Sequence, residues 1–190
     1  MILYLIVAVG TIMLAAMVNN HPPVQSYRVT RQQLCNRICL VSIFTILFLL
    51  SACRQNVGND YAKYVEFMHF VNCDAYVPTE PGFNLLVKII YGLSGFENYL
   101  LVFAVYAFVT ILFFLLAIYE QSDTFSMTYF LFMALGYYFQ TFSTVRYYLA
   151  LALALYSMKF VLRRQWGKFV ALVILGSFFH KSLLVVLPLY

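Results

Sequence analysis

The sequence predicts an all-α, polytopic integral membrane helix bundle. Hydrophobic residues make up 64% of the 190 residues and charged residues only 10%, whereas a soluble domain carries about 25% charged residues. The mean hydropathy is +0.85. A chain with so little polar surface is excluded from the soluble class, and at about 20 residues per span its length suits about six spans.

Apolar segments separated by charged or proline-containing stretches indicate the spans. The first segment has no basic residue before it and no small-residue cleavage site after it, so we interpret it as a retained helix and not as a signal peptide. We predict one transmembrane domain, residues 1–190, with spans near 1–18, 38–53, 99–119, 125–144, 146–162 and 169–190.

The polar stretch 54–98 has the pattern of a folded region. Asp60 is well placed to cap a helix, and Pro81 is well placed to begin a second one. The apolar residues of the first helix recur at three- and four-residue spacing: Tyr61, Tyr64, Val65, Met68 and Val71. We therefore predict two amphipathic helices at the outer membrane interface.

The charged residues between the spans predict the orientation, because basic residues favour the cytoplasmic side. The loop 19–37 carries three arginines and no acid, and the loop 163–168 carries three basic residues. These loops are an even number of spans apart, so both can be cytoplasmic, although the loop around Glu120 gives no support. The amino terminus and the region 54–98 are then outside.

In this topology the unusual ionisable residues gather on the outer side. Arg146 interrupts an apolar run of about forty residues, and such a group normally faces a bundle interior or a wet cavity. His180 lies 12 residues after Lys168, an axial rise of about 18 Å, which is past the middle of a hydrocarbon core about 30 Å thick. Any site that these residues form opens outward.

Each candidate residue also has a structural interpretation. Arg54 borders a short span and can reach the interface by snorkelling. Asp60 and Glu80 can cap helices, and His180 can hydrogen-bond to a neighbouring helix. For Arg146 we favour a functional role.

Other features favour structural roles. The spacing of Cys53 and Cys73 does not argue for a disulfide. The net charge of +5 lies mostly in short loops and forms no basic stripe, so no nucleic-acid partner is expected. Four tyrosines fall where an outer aromatic belt belongs, although they could also stack on sugar rings: Tyr137, Tyr138, Tyr147 and Tyr148.

Four sequence blocks, in order along the chain, resemble the EpsG family of membrane proteins. Residues 54–64 resemble its R-x(3)-G-x-D-Y-x(2)-Y signature, and residues 80–83 its acidic-Pro-Gly-aromatic stretch. Residues 144–146 resemble the arginine at the head of a small-residue helix. Residues 178–188 resemble the F-H-x-S … L-P element. The resemblance covers about residues 37–190.

The resemblance implies a role in exopolysaccharide, capsule or O-antigen biosynthesis in the bacterial cytoplasmic membrane. Such proteins are similar to Wzy-type polymerases, glycosyltransferases that join polyprenyl-diphosphate-linked repeat units on the outer face. The expected partners are the polyprenyl-diphosphate-linked oligosaccharide, the lipid bilayer and other polysaccharide-assembly membrane proteins. The family is longer than this chain, so residues 1–190 are expected to be the amino-terminal part of a larger domain.

The reaction that the resemblance implies needs a proton acceptor and fixed cations. A carboxylate or histidine can accept the proton of the attacking hydroxyl, and arginine can bind the departing diphosphate. We therefore predict Asp60, Glu80 and His180 as catalytic residues and Arg54 and Arg146 as diphosphate-binding residues. No metal site and no cofactor are predicted.

Other functions remain open from the sequence. A lipid-linked saccharide flippase or other transporter would place its charges near the midplane in broken helices with repeat symmetry, whereas these charges gather on one face. A membrane acyltransferase would also use a buried histidine, but no H-x(3)-D motif lies beside His180. A non-catalytic subunit of the assembly machinery is the remaining alternative.

Overall fold

The computed structural model describes residues 2–19 and 30–190, and every regular element in those ranges is helical. The predicted all-α fold is therefore confirmed. Residues 20–29 of the predicted loop 19–37 lie outside the described residues. In chain order the elements are α1 (Ile2–Ala16), α2 (Arg31–Ala52), α3 (Tyr61–Asn72), α4 (Pro81–Ser94), α5 (Tyr99–Gln121), α6 (Phe125–Ala134), α7 (Tyr137–Gln140), α8 (Val145–Leu162), α9 (Trp166–Ser177) and a 3-10 helix (Lys181–Leu189).

Three of these helices are long and apolar enough to cross a bilayer. They are α2, α5 and α8, with 22, 23 and 18 residues, close to the roughly 20 residues that a span requires. α5 packs against both α2 and α8, and the shorter apolar helices α1, α6 and α9 pack around them. The fold is a membrane helix bundle, as the sequence predicts.

Two predicted spans are not single continuous helices. The segment 125–144 breaks after α6, because Gly136 takes a left-handed conformation with a φ of 77°, which ends a helix readily only at glycine. The segment 169–190 breaks between α9 and the 3-10 helix, at His180, whose backbone is extended. The second predicted span is longer than expected, since a capping box between Thr30 and Gln33 starts α2 at Arg31.

The two amphipathic helices predicted in the region 54–98 are α3 and α4. Their apolar faces pack together and against the beginnings of α5 and α8, where Phe103 and Val145 belong to the same core. On α3 the buried residues repeat as predicted, at Tyr61, Tyr64, Met68 and Val71. We call this end of the bundle the α3–α4 end.

The other end of the bundle contains the carboxyl ends of α5 and α8. There Lys159 donates to Glu120 at 2.8 Å and lies 3.6 Å from the centre of the Tyr156 ring. Glu120 is therefore paired with a cation of the neighbouring helix α8. Because α5 and α8 run in the same direction, residues before each of them meet at the α3–α4 end.

Two members of the predicted aromatic belt are core residues. Tyr138 is fully buried and donates to the carbonyl of Leu47 at 2.7 Å, and Tyr148 is buried and donates to Gln140 at 2.6 Å. The break after α6 turns Tyr138 inward, and Tyr148 lies on the buried face of α8, so the belt prediction is wrong for both. Tyr137 and Tyr147 are exposed, as the prediction requires.

Candidate functional site

An ion pair joins the α4 amino terminus to the first turn of α8 at the α3–α4 end. Arg146 donates from Nη1 to Glu80 Oε2, and their side chains are only 19% and 11% exposed. The Arg146 guanidinium also lies 5.6 Å from the ring centres of both Tyr64 and Phe83. A half-desolvated charge pair of this kind interacts more strongly than a surface pair.

His180 lies on the other side of the Glu80 carboxylate. Its Nδ1 is 3.9 Å from Glu80 Oε1, and its ring packs edge-on against Tyr147 at 5.6 Å between centres. In the cluster formed by Glu80, Arg146 and His180, one carboxylate therefore lies between an arginine and a histidine. The arginine is always charged, and the histidine is charged when it is protonated. We call these three residues the acid–base cluster.

Ser182 fixes the orientation of the His180 ring. The Ser182 backbone N–H and hydroxyl lie 3.4 Å and 3.1 Å from His180 Nδ1, and this ring nitrogen caps the 3-10 helix. When Nδ1 accepts these two bonds, the proton of the neutral ring lies on Nε2. His180 then presents an N–H donor at its free nitrogen. The sequence suggested no role for Ser182 beyond its place in the F-H-x-S block.

A close backbone contact brings α4 to His180. The N–H of Gly82 donates to the carbonyl of Phe178 at 2.9 Å. A Cβ atom on Gly82 would lie only 2.6 Å from that oxygen, so the approach requires glycine. The Glu80-Pro81-Gly82 block thus places its carboxylate beside the F-H-x-S block, which the sequence could not show.

Asp60 lies beside the acid–base cluster without joining it. A small cavity of about 60 Å³ is lined by Asp60, Lys63, Tyr64, Phe67 and Arg146. This volume holds a few water molecules at most, since a water needs roughly 10–15 Å³ by the same measure. Asp60 and Arg146 therefore face a shared polar space.

Neither predicted cap makes a capping hydrogen bond. Asp60 is the N-cap residue of α3 and Glu80 that of α4, yet no side-chain cap bond forms at either position. The interpretation that these two side chains cap their helices is therefore wrong, although both residues occupy the N-cap positions. Their carboxylates are free to face the cavity and the ion pair.

Arg54 occupies a different environment. The residue is only 6% exposed, and its guanidinium carbon lies 4.9 Å and 5.1 Å from the ring centres of Phe103 and Phe142. Nη1 donates to the carbonyl of Thr141 at 3.4 Å. Burial lowers the pKa of Arg54 to about 10, which leaves it charged at neutral pH. The snorkelling interpretation is wrong, because the head group is buried among aromatic rings.

Metal ligands do not cluster in the described part of the chain. Across residues 2–19 and 30–190, no group of three or more His, Cys, Asp or Glu side chains is placed to hold a metal ion. The described cysteines, Cys53 and Cys73 among them, are free thiols.

Comparison with known protein families identifies a match over most of the chain. Residues 37–190 match the model described as the EpsG family, which is well over half of the chain. No curated protein and no solved structure matches.

Proposed function

The chain belongs to the EpsG family, and from that premise we propose that it is a polymerase-like membrane glycosyltransferase of polysaccharide biosynthesis. It joins polyprenyl-diphosphate-linked repeat units of an exopolysaccharide, capsule or O-antigen. The observation that carries the proposal is the acid–base cluster at the α3–α4 end, where Glu80 pairs with Arg146 and lies 3.9 Å from His180 Nδ1.

The charge distribution supports a site on the outer face of the cytoplasmic membrane. The basic loop 163–168 and the start of α2 at Arg31 lie at the opposite end, where positive charge favours the cytoplasm. The α3–α4 end, and with it the amino terminus of α1, is then outside. This is where lipid-linked repeat units await polymerisation.

The reaction transfers a glycosyl group. A hydroxyl oxygen of the acceptor unit forms a bond to the anomeric carbon of the donor, the bond from that carbon to the diphosphate oxygen breaks, and polyprenyl diphosphate leaves with the electron pair. The hydroxyl proton passes to a carboxylate. Arg146 suits the leaving group, because a guanidinium binds two phosphate oxygens at once and stabilises charge that develops as the bond breaks.

The ion pair suggests how binding and proton transfer are linked. In the free protein Glu80 occupies Arg146 as an internal anion. A diphosphate that binds Arg146 displaces this carboxylate and leaves it as a free proton acceptor beside His180. Glu80 then becomes available as a base only when the donor is bound.

The other predicted residues have separate roles in this mechanism. His180, with its proton on Nε2, donates to the departing phosphate oxygen or to the sugar. Asp60, across the small cavity from Arg146, is a second candidate base. The sequence also predicts Arg54 as a diphosphate contact, and that role stays a prediction. The burial of Arg54 supports a different role, in positioning the site.

The proposal is tested with the full-length protein in membranes of a strain deleted for the native gene. Supplied with lipid-linked repeat units, these membranes should form long chains and release polyprenyl diphosphate, and Arg146→Ala should abolish both. The matched control is Lys88→Ala, which removes an exposed ion pair with Asp74 in the same region and should leave both products unchanged. Long chains from Arg146→Ala membranes would refute the proposed site.

A further inference from the structure

Arg54 is among the most deeply buried charges that the structure describes, and no substrate can reach it without moving aromatic side chains. Phe103 of α5 covers one side of the guanidinium and Phe142 another. Its hydrogen bond goes to a backbone carbonyl, that of Thr141. The charge is therefore used within the fold, to hold the loop after α2 against the turn before α8.

Two further contacts join the same pair of segments. Gly58 packs directly against the carbonyl of Phe142, where a Cβ atom would lie 2.2 Å from the oxygen, and its φ of 106° is available only to glycine at low strain. Next to it, the N–H of Asn59 donates to the hydroxyl of Ser143 at 3.3 Å. We call this set of contacts the Arg54 clamp.

In both segments, the residues of the clamp come shortly before a site residue in the sequence: Asp60 in one segment and Arg146 in the other. On one segment Asn59 is followed by Asp60 and then by α3, which contributes Tyr64. On the other segment Ser143 is followed closely by Arg146 in the first turn of α8. A shift between the two segments would move Asp60 and Tyr64 relative to the Arg146 guanidinium.

We propose that Arg54 is a positioning residue: by clamping the 54–60 loop to the 141–144 turn, it fixes Asp60 and Tyr64 against Arg146 and does not itself contact the diphosphate. This inference rests on the proposed function for its link to activity. The clamp itself is independent of that function, so the two can fail separately.

The positioning role of Arg54 also determines which replacements at position 54 are tolerated. A lysine at position 54 can still place a cation between two aromatic rings and donate to the Thr141 carbonyl. A glutamine cannot supply the charge. Arg54→Lys should therefore keep much of the function that Arg54→Gln loses. At Arg146 the forked contact matters, so Arg146→Lys should fail.

The experiment measures the clamp directly, in the full-length protein lacking its native cysteines. Cysteines at Asn59 and Ser143 are joined by a short bismaleimide, and the rate is compared with Arg, Lys or Gln at position 54. We expect roughly tenfold slower cross-linking with Arg54→Gln, because a desolvated cation–π contact is lost, and a near-normal rate with Arg54→Lys. A cysteine pair at Asp74 and Lys88, remote from the clamp, should react equally in all three proteins.

Polymer length and donor affinity complete the test. Arg54→Gln should shorten the polymer with little change in donor affinity, and Arg54→Lys should restore it. Gly58→Ala, which strains the clamp from the other side, should reproduce the Arg54→Gln result.

Normal cross-linking in Arg54→Gln together with a large loss of donor affinity would overturn the proposal in favour of direct diphosphate binding. If cross-linking slows as expected but wild-type membranes make no polymer, the clamp stands and the polymerase function fails.

Discussion

Glu80 and Arg146, which are 66 positions apart in the chain, form an ion pair between the start of α4 and the first turn of α8. Both side chains are largely covered, and the Arg146 Nε atom finds no partner among the described residues. The ion pair thus leaves one buried guanidinium N–H of Arg146 without a hydrogen-bond acceptor among those residues. In the proposed mechanism a diphosphate takes the place of Glu80 on this guanidinium.

If the diphosphate displaces Glu80 from Arg146, the variant Glu80→Gln should have an unusual phenotype. Removing the internal anion should leave donor binding unchanged or tighter, because the diphosphate no longer competes with a carboxylate. Chain elongation should fall by roughly 100-fold or more, as expected when a general base is lost. Donor retention and polymer length are measured on the same membranes.

Asp74→Asn is the control for that variant. It removes an exposed carboxylate that also pairs with a cation, Lys88, and should change neither measurement. Weaker donor binding in Glu80→Gln would show that Glu80 helps to hold Arg146 in place and does not compete for it.

Arg146→Lys should lose most of the activity even though it keeps the positive charge. An ammonium group supplies a point charge where the diphosphate needs a planar fork, so we expect a fall of roughly 100-fold in polymer formation. Arg146→Ala should lose at least as much, with normal membrane insertion. Immunoblotting of membranes and polymer length on a gel provide the two readouts. Arg163→Lys, at the opposite end, serves as the matched control and should be silent.

The hydrogen bond from Ser182 to His180 predicts a graded series. Ser182→Ala removes the hydroxyl that holds Nδ1 and should lower polymer formation about 3- to 10-fold, the range for one lost hydrogen bond. Ser182→Thr retains the hydroxyl and should be close to wild type. In His180→Ala, the further change Ser182→Ala should have no additional effect. An equal loss in the Ala and Thr variants would show that the hydroxyl does not orient the ring.

The proposed orientation is tested by labelling single cysteines in a cysteine-free background. A cysteine at Thr79, in the turn before α4, should react with a membrane-impermeant thiol reagent in whole cells. Cysteines at Gln33 and Gln165 should react only after the membrane is opened, because the basic segments around them favour the cytoplasm. The reverse pattern would place the acid–base cluster in the cytoplasm and exclude polymerisation on the outer face.

The sequence predicts the local elements better than their contacts, for a physical reason. The period of the buried residues on α3 is a local property, and it predicts the helix and its buried face correctly. The break after Ala134 is less visible, because Gly136 is a single residue within a long apolar run. Tyr138 illustrates the consequence: once the chain turns at Gly136, a residue expected at the interface is buried and bonded to Leu47.

The sequence singles out candidate site residues but not their geometry, and their roles stay predictions. Arg146 is conspicuous in the sequence because an ionisable group within an apolar run needs an explanation. Its partner could not be identified, since Asp60 and Glu80 both carry a carboxylate and both immediately precede a helix. The choice between them depends on Gly82, which lets α4 approach Phe178. Arg54 was assigned to the same site, yet the packing of Phe103 and Phe142 separates it from the surface.

The last prediction distinguishes a polymerase from a flippase. A flippase must expose its saccharide site to both sides of the membrane, so its loss leaves lipid-linked repeat units facing the cytoplasm. A polymerase acts on units that are already outside, so its loss leaves single units there. Asp60, Glu80, Arg146 and His180 all lie at the α3–α4 end, whereas the carboxyl ends of α5 and α8 pair Lys159 with Glu120. This one-sided distribution favours a polymerase.

We therefore expect Asp60→Asn combined with His180→Ala to abolish long chains and to leave single repeat units displayed at the cell surface. Surface units are detected with a saccharide-specific antibody, and lipid-linked units are assigned to a leaflet by their accessibility to a glycosidase in intact cells. Glu66→Gln combined with His69→Ala changes an exposed acid and an exposed histidine on α3 and should leave chain length normal. Accumulation of repeat units on the cytoplasmic leaflet in the first double variant would contradict the polymerase proposal and favour a transporter, because only a transporter is needed before the units reach the outer face.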